Sequence, residues 1–364
     1  MRPAADELAP VTAIDTFDTI IDARTPAEFA EDHLPGAINC PVLTNEERAI
    51  VGTIYKQDSP FAARRIGGAW VARHIADHIE RHFQDRPRDW RPLVYCWRGG
   101  QRSGAFVTWL RLIGWEAAQL EGGYKAFRRH LLAELAHLPA RFTFWVVGGP
   151  TGCGKTHLLS SLTQQGGQVL DLEGLARHRG SLLGAWPNGS AQPGQRAFET
   201  ALWDALRRFD PAKPVFVEAE NRRIGRCHLP EALWQAITRA PLLVVDAPFS
   251  QRHAFLLREY AFWQKEPERL AGQLARLKGL QPNERLERWL RWARAGELAS
   301  LYAELMVHHY DPLYRKGLER HPRTPLGTWY LPDLSVTTLA ATAREWLALA
   351  QAATGREPTL TREK

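Results

Sequence analysis

Two stretches of the chain combine residue types that could do chemistry. The first is Cys96-Trp97-Arg98-Gly99-Gly100-Gln101-Arg102-Ser103, a thiol followed by two glycines and two arginines. A cysteine that ends a buried strand and enters such a loop lies on the floor of a cradle of backbone N–H groups, with the next helix N-terminus facing the sulfur. That field stabilises a thiolate, the nucleophilic form of the side chain. Arg102, at C-x5-R spacing, suits a tetrahedral oxyanion. Arg98 adds charge at the rim, and Gly99, Gly100 and Ser103 complete the candidate loop. The second stretch is Gly149-Pro150-Thr151-Gly152-Cys153-Gly154-Lys155-Thr156, a full match to the P-loop pattern G-x4-G-K-[ST]. Its N–H groups would wrap a di- or triphosphate, Lys155 would neutralise the terminal phosphates, and Thr156 is the residue type that ligates Mg²⁺. The spacing leaves open whether a diphosphate or a nucleotide fills it.

Both loops need a strand before them and a helix behind them. Pro92-Leu93-Val94-Tyr95 reads as a buried strand running into Cys96, and Gly104 to Ile113 has helical spacing of apolar residues. Upstream, Thr19-Ile20-Ile21-Asp22 reads as a strand. Thr25-Pro26-Ala27-Glu28-Phe29 begins a helix, since proline suits its first turn. His33 to Asn39 turns into another short strand, and a long helix is expected from Gly67 to Phe83. A border falls near Leu138-Pro139-Ala140, giving domains 1–138 and 139–364. Beyond it the apolar run Phe142 to Val147 leads into the P-loop. Further strands are expected at Gln168–Asp171, Pro214–Glu218 and Leu242–Asp246, separated by helical stretches, which makes a parallel sheet covered on both faces. From Gln251 to Arg320 the pattern is helical, and the last dozen residues read as a loose polar tail.

In a parallel sheet, ligands bind outside the carboxyl ends of the strands. Polar residues at those ends are therefore second-site candidates: Asp171, Glu173, Arg177 and Arg179 after one strand, Glu218, Glu220 and Arg222 after another, and Asp246 after a third. Glu218 and Asp246 compete for the acidic position that organises metal and water in hydrolytic P-loop proteins. No metal site is firmly predicted.

The chain has 364 residues, a net charge of +7 and a pI near 9.4. That excess fits a polyanionic partner such as nucleic acid, and ordinary solubility charge accounts for it as well. Arg64-Arg65, Arg128-Arg129, Arg177-His178-Arg179, Arg222-Arg223 and the arginines at 285, 288, 291 and 294, with Trp289 and Trp292 between them, are candidate RNA contacts. An inward-packed amphipathic helix is the other account of the last group. No apolar run approaches the roughly 20 residues that span a bilayer. Met1 to Glu7 is acidic and has no apolar signal core, so the expected location is the cytoplasm, with no membrane partner. The four cysteines, Cys40, Cys96, Cys153 and Cys227, form no CxxC pair, and no tightly bound prosthetic group is indicated.

Residues 10–137 resemble a rhodanese domain through Ile21-Asp22-Ala23-Arg24-Thr25-Pro26-Ala27-Glu28-Phe29, His33-Leu34-Pro35-Gly36-Ala37-Ile38-Asn39 and the Cys96 loop. C-x5-R is also the spacing of tyrosine phosphatases, which usually carry His where this chain has Tyr95. The rhodanese resemblance implies a chalcogen carried on Cys96. Together with Asn45 to Gln57, Glu121-Gly122-Gly123-Tyr124-Lys125 and Asp171 to Ser181, almost the whole chain resembles the tRNA 2-selenouridine synthases. That resemblance implies an α/β fold, with an N-terminal rhodanese-like domain plus a P-loop parallel-sheet α/β domain with a helical C-terminal extension. It implies a transferase acting on the wobble 2-thiouridine in the anticodon loop of tRNAs for Lys, Glu and Gln. Geranyl diphosphate would alkylate the sulfur, and selenium from selenophosphate, carried on Cys96, would then replace the geranylthio group. Arg98 and Arg102 would grip the phosphate of selenophosphate. Two other classes stay open from the residues alone: an enzyme acting on small phosphorylated molecules, and a non-catalytic RNA-binding protein.

Overall fold

The computed structural model describes residues 8–184, 191–320 and 325–354 and divides into two compact units. The first unit runs to Glu134 and takes in Gly194–Asp204. The second comprises Leu135–Pro193 and Ala205 onward. The acidic start of the chain and nearly all of the expected polar tail lie outside the described residues.

The first unit is built on five short strands, β1 (Leu8–Ala9), β2 (Thr19–Asp22), β3 (Ile38–Asn39), β4 (Pro92–Tyr95) and β5 (Ala118–Leu120). They form an all-parallel sheet in the order β1-β5-β4-β2-β3. The central strand β4 is buried along its whole length, and hence reads as an unbroken apolar run rather than an alternating one. Cys96 follows it directly. The helix Gln101–Ile113 then starts at Gly100, and Phe106, Val107 and Leu110 pack with Ile21, Val94 and Trp115 in one core. The predicted start at Thr25 is a full capping box with Glu28. The inserted segment Asn45–Gln57 is a helix capped in the same way by Thr44 and Glu47, and it packs on the helix Pro60–His78. That second helix begins seven residues before the expected Gly67, because Ser59 caps it and Pro60 fills its first turn; a π-helical turn carries it on to Phe83.

The second unit holds β6 (Phe144–Gly148), β7 (Gln168–Leu170), β8 (Val215–Glu218), the hairpin β9 (Arg223–Ile224) and β10 (Cys227–His228), β11 (Leu242–Asp246) and β12 (Pro325–Tyr330). Its main sheet is parallel, in the order β12-β11-β6-β8-β7, so the P-loop strand β6 is central. β12 is an edge strand with Leu326 and Tyr330 exposed, which is why it lacks the apolar run that betrays the other strands. Helices between Phe249 and Leu305 gather around Trp263, Leu270, Trp289 and Leu301 in a separate core. Trp289 is fully buried and donates from Nε1 to Glu304 at 2.8 Å; Arg288 binds the same carboxylate, and Arg294 pairs with Glu268. Inward packing therefore accounts for this helix, and Trp289 offers no face for a stacked base. Among the described residues no helix is long and apolar enough to cross a membrane.

Candidate functional site

In the first unit, two donors converge on the Cys96 sulfur. Gly100 N–H donates to Sγ at 3.3 Å and the Ser103 hydroxyl at 3.1 Å, an arrangement that favours negative charge there. Gln119, fully buried on β5, donates from Nε2 to the Ser103 oxygen at 2.8 Å and to Gly100 O at 3.1 Å, which fixes both donors. The loop is closed from behind by Tyr124 N–H, which donates to Cys96 O at 2.8 Å. Gly123 makes that approach feasible: its φ is +58°, and a Cβ there would lie 2.3 Å from Cys96 O and 2.4 Å from Gly99 N. Burial pushes the Cys40 thiol up to about 12 and raises those of Cys153 and Cys227 as well.

Arg98 is exposed at the rim. Arg102 is not free: its guanidinium donates to Glu28 at 2.8 and 3.3 Å. Burial alone would raise the Glu28 carboxyl, but the Arg102 hydrogen bond and charge hold it below its ordinary value. An anion at the loop must share Arg102 with Glu28.

A buried polar network braces this loop. Arg24 pairs with Asp22 at 2.6 Å, and Tyr95 donates from its hydroxyl to the same carboxylate at 2.6 Å. Thus the Tyr95 that stands where phosphatases carry His anchors the end of β4. Arg24 also donates to Asp32 O at 2.7 Å and lies 4.0 Å from the Tyr124 ring centroid. Asp32 in turn accepts from Tyr124 at 2.7 Å and Thr200 at 3.0 Å, which ties in the returning segment Gly194–Asp204. Arg128 is spent here as well, on Glu199, Thr200 and Asp32, and is withdrawn from the candidate RNA contacts. None of these long-range pairings has a sequence signal.

In the second unit the P-loop turns sharply between β6 and the helix Lys155–Gln164. Gly149 adopts φ +151°, and a Cβ there would strike Val245 O at 2.1 Å. Cys153 is fully buried behind the loop as a small packing residue. Lys155 folds back onto the loop, donating to Gly149 O at 3.1 Å and Pro150 O at 3.4 Å, and sits 3.7 Å from Glu218. Burial opposes its charge, but Cys153 and the nearby glutamates keep the ammonium above its ordinary value.

Glu218 and Asp246 differ in position. The Thr156 hydroxyl lies 3.4 Å from Glu218 and 3.5 Å from Glu173, whereas Asp246 accepts from Ala247 N–H at 2.8 Å. Carboxylate oxygens of Glu173, Glu218 and Glu220 lie within 4.8 Å of one another. Burial is the main reason their protons are held tightly, with mutual repulsion adding to it: Glu173 is lifted to about 10 and Glu220 to about 8. These groups line a cavity of about 550 Å³. Its floor is the P-loop with the three glutamates, and Asp171 and Arg179 also line it. Its walls are aromatic and aliphatic: Trp234, Leu256, Tyr260, Tyr310, Leu313 and Tyr314. Arg177, Arg222 and Asp246 do not line it. Arg222 pairs with Glu231 at the surface, and Arg177 is an exposed helix end with φ +47°.

Sequence reasoning missed Arg252. It is buried, donates to Thr151 O at 3.1 Å and grips Asp311 with two bonds of 2.9 Å, so the P-loop is held against the helix Asp311–Arg320.

Known proteins group the two halves in the same way. Residues 142–281 match the family model described as the tRNA 2-selenouridine synthase AAA domain, and residues 8–130 match the rhodanese-like domain. Over 341 residues the chain is 36% identical to the tRNA 2-selenouridine synthase of Aeromonas salmonicida, covering 86% of this chain and 90% of that one. The chain belongs to the tRNA 2-selenouridine synthase family. Synthases of the same description from Alcanivorax borkumensis and a Sulfurovum species are 34% and 32% identical, across 84% and 83% of this chain and 91% and 89% of theirs. The protein is an enzyme of this type, with the Cys96 loop in its rhodanese-like part and the P-loop in its AAA part.

Proposed function

We propose that this enzyme converts wobble 2-thiouridine to 2-selenouridine in the anticodon loops of tRNAs for Lys, Glu and Gln, with one loop serving each of two steps. The observation that carries the division is the make-up of the P-loop cavity. An anion-binding floor under an apolar, aromatic wall suits a prenyl diphosphate, whose two ends differ in just this way. In the first step the thiouridine sulfur attacks C1 of geranyl diphosphate. The C1–O bond breaks, its electron pair leaves with the diphosphate, and the uridine N3 proton is released. P-loop N–H groups and Lys155 would stabilise the charge that develops on the leaving group.

In the second step selenophosphate held at the Cys96 loop delivers its selenium to C2: a selenium lone pair forms the C2–Se bond, the C2–S bond breaks and geranylthiol departs, and water then cleaves the Se–P bond and releases phosphate. Gly100 N–H and the Ser103 hydroxyl support the sulfur, while Gly99, Gly100 and Arg102, with Arg98 at the rim, make the anion cradle. The oxygens of Thr156, Glu173, Glu218 and Glu220 fit a hard divalent ion such as Mg²⁺. When bound, it would neutralise the glutamates and supply positive charge beside the diphosphate. We assign the enzyme no tightly bound prosthetic group and place it in the cytoplasm.

The test is mass spectrometry of wobble nucleosides after incubating purified enzyme with 2-thiouridine tRNA, adding geranyl diphosphate and selenophosphate separately. S-geranyl-2-thiouridine should form with the first donor alone and 2-selenouridine only when both are present. Turnover that requires ATP, with geranyl diphosphate inert, would assign the P-loop to a nucleotide instead.

A further inference from the structure

The Ser103 hydroxyl has one hydrogen and two acceptors within reach, the Cys96 sulfur at 3.1 Å and Gly100 O at 3.3 Å. Which of them receives it decides how the thiol is held. Pointed at the sulfur, the hydroxyl joins Gly100 N–H, 3.3 Å from Sγ, as a second donor to a thiolate. Pointed at Gly100 O, it leaves its oxygen free to accept from an S–H group, and the neutral thiol is favoured instead.

The donors and acceptors around these two residues decide between the arrangements. Gly100 O already accepts from Gly104 N–H at 3.0 Å and from Gln119 Nε2 at 3.1 Å. A carbonyl oxygen has two lone pairs, so neither is left for Ser103. Gln119 Nε2 also reaches the Ser103 oxygen at 2.8 Å, which uses both of its amide hydrogens. Ser103 is therefore an acceptor toward Gln119, and its own hydrogen goes to the sulfur.

Only one orientation of the Gln119 amide fits this pattern. Turned over, its carbonyl oxygen would face Gly100 O, acceptor against acceptor. In the orientation present, Oε1 is buried and has no hydrogen-bond partner among the described residues. Gln119, Ser103 and Cys96 are all buried. An unpaired buried oxygen is a cost that an apolar side chain at the same place would avoid. What the amide supplies in return is the pair of hydrogens on Nε2.

We propose that Gln119 is a positioning residue for Cys96: by filling Gly100 O and donating to the Ser103 oxygen, it directs the Ser103 hydrogen to the sulfur and holds that sulfur as a thiolate. Gln119 acts through Ser103 and Gly100 and not on the sulfur itself. Its bearing on turnover rests on the reading of the Cys96 loop as the site of selenium delivery, whereas the direction of the Ser103 hydrogen does not.

The test is a double-mutant cycle, read by the pH dependence of Cys96 alkylation with iodoacetamide and followed on the Cys96 peptide by mass spectrometry. Charged and titratable neighbours are the same in every variant of the cycle: Arg98 and the Arg102–Glu28 pair on the loop, and Asp22, Arg24 and Tyr124 in the network that braces it. Ser103→Ala deletes one hydrogen bond to a charged group and should move the profile up by roughly one to two pH units. Gln119→Met keeps the length of the side chain but has no hydrogens to donate. It should move the profile the same way by at least half as much, because Ser103 is then free to turn to Gly100 O. In Ser103→Ala/Gln119→Met the shift should be no larger than in Ser103→Ala alone, since Gln119 has no hydroxyl left to direct. Gln119→Glu, whose carboxylate can only accept, should draw the Ser103 hydrogen off the sulfur and shift the profile at least as far as Gln119→Met. A profile at the parent position in both Gln119 variants, or a double variant whose shift is the sum of the two singles, would overturn the proposal. Single-turnover selenation of tRNA that already carries S-geranyl-2-thiouridine separates the two ideas. If the alkylation profiles move as expected and selenation slows with them, both stand. If the profiles move and selenation keeps the parent rate, the Gln119 assignment stands and the reading of the thiolate in selenium delivery falls.

Discussion

Arg252 offers a sharp test of how the P-loop is held. Its side chain is 9% exposed, and that of Asp311, its partner in two 2.9 Å bonds, is 19% exposed. Arg252→Met keeps most of the packing volume but strands the Asp311 carboxylate and the Thr151 carbonyl. Removing one member of a buried pair costs about 3–5 kcal/mol, and the partial access of water to Asp311 puts this case near the lower end, about 3 kcal/mol. For a unit of this size each kcal/mol moves the midpoint by roughly 2–4 °C, so the loss should be roughly 6–12 °C. Scanning calorimetry and circular dichroism would read it. The double variant Arg252→Met/Asp311→Leu removes both charges and should recover at least half of the loss, since no charge is left unpaired. The diphosphate-induced rise in midpoint should stay reduced in both variants, because neither restores the bond to Thr151. A single variant that melts within about 2 °C of the parent, or a double variant as unstable as the sum of the two singles, would refute this account.

Three further outcomes follow from the geometry. Cys96→Ser should stop selenation and let S-geranyl-2-thiouridine tRNA accumulate; 2-selenouridine at the parent rate would contradict the role of the thiol. Gly123→Ala puts a Cβ 2.3 Å from Cys96 O, so the loop must shift and selenation should slow by roughly a hundredfold while geranylation persists; equal loss of both steps would point to global unfolding. In EDTA, the second unit should lose stability as pH rises from 6 to 8. The Glu220 carboxyl is lifted to about 8, above its ordinary value of 4.5, so the folded state holds a proton that the unfolded chain has shed. Each pH unit in that window costs about 1.4 kcal/mol per retained proton. Millimolar Mg²⁺ should flatten the slope and raise the midpoint, and a midpoint flat from pH 6 to 8 in EDTA would refute the buried-carboxylate account.

What could be read from sequence was local. β4 and β6 are continuous apolar runs because both of their faces are covered, and each leads within a few residues to a glycine-marked loop, so the two anion sites stood out. The rule that ligands sit at strand ends picks out Glu173, Glu218 and Glu220, which line the P-loop cavity, and also Arg177, Arg222 and Asp246, which do not. Only packing separates them. Glu218 ends the strand beside the P-loop strand and meets Thr156, while Asp246 ends the other neighbour and caps a turn. Arg252, Asp311 and Tyr314 come from a helical region whose pattern reports only which face is buried. The bond from Arg252 to the loop carbonyl of Thr151, 101 positions earlier, has no local cost or signature. The same holds for Asp32, Tyr124 and Thr200, which brace the Cys96 loop across separations of 92 and 168 positions.

The proposed function gives the two loops successive steps on one nucleotide. It is tested most directly by giving Lys155→Ala a tRNA that already carries S-geranyl-2-thiouridine, together with selenophosphate, and following 2-selenouridine by mass spectrometry in a single turnover. Selenation should run near the parent rate, in a variant that forms no S-geranyl-2-thiouridine from 2-thiouridine tRNA and geranyl diphosphate. Equal loss of both reactions in folded protein would contradict it.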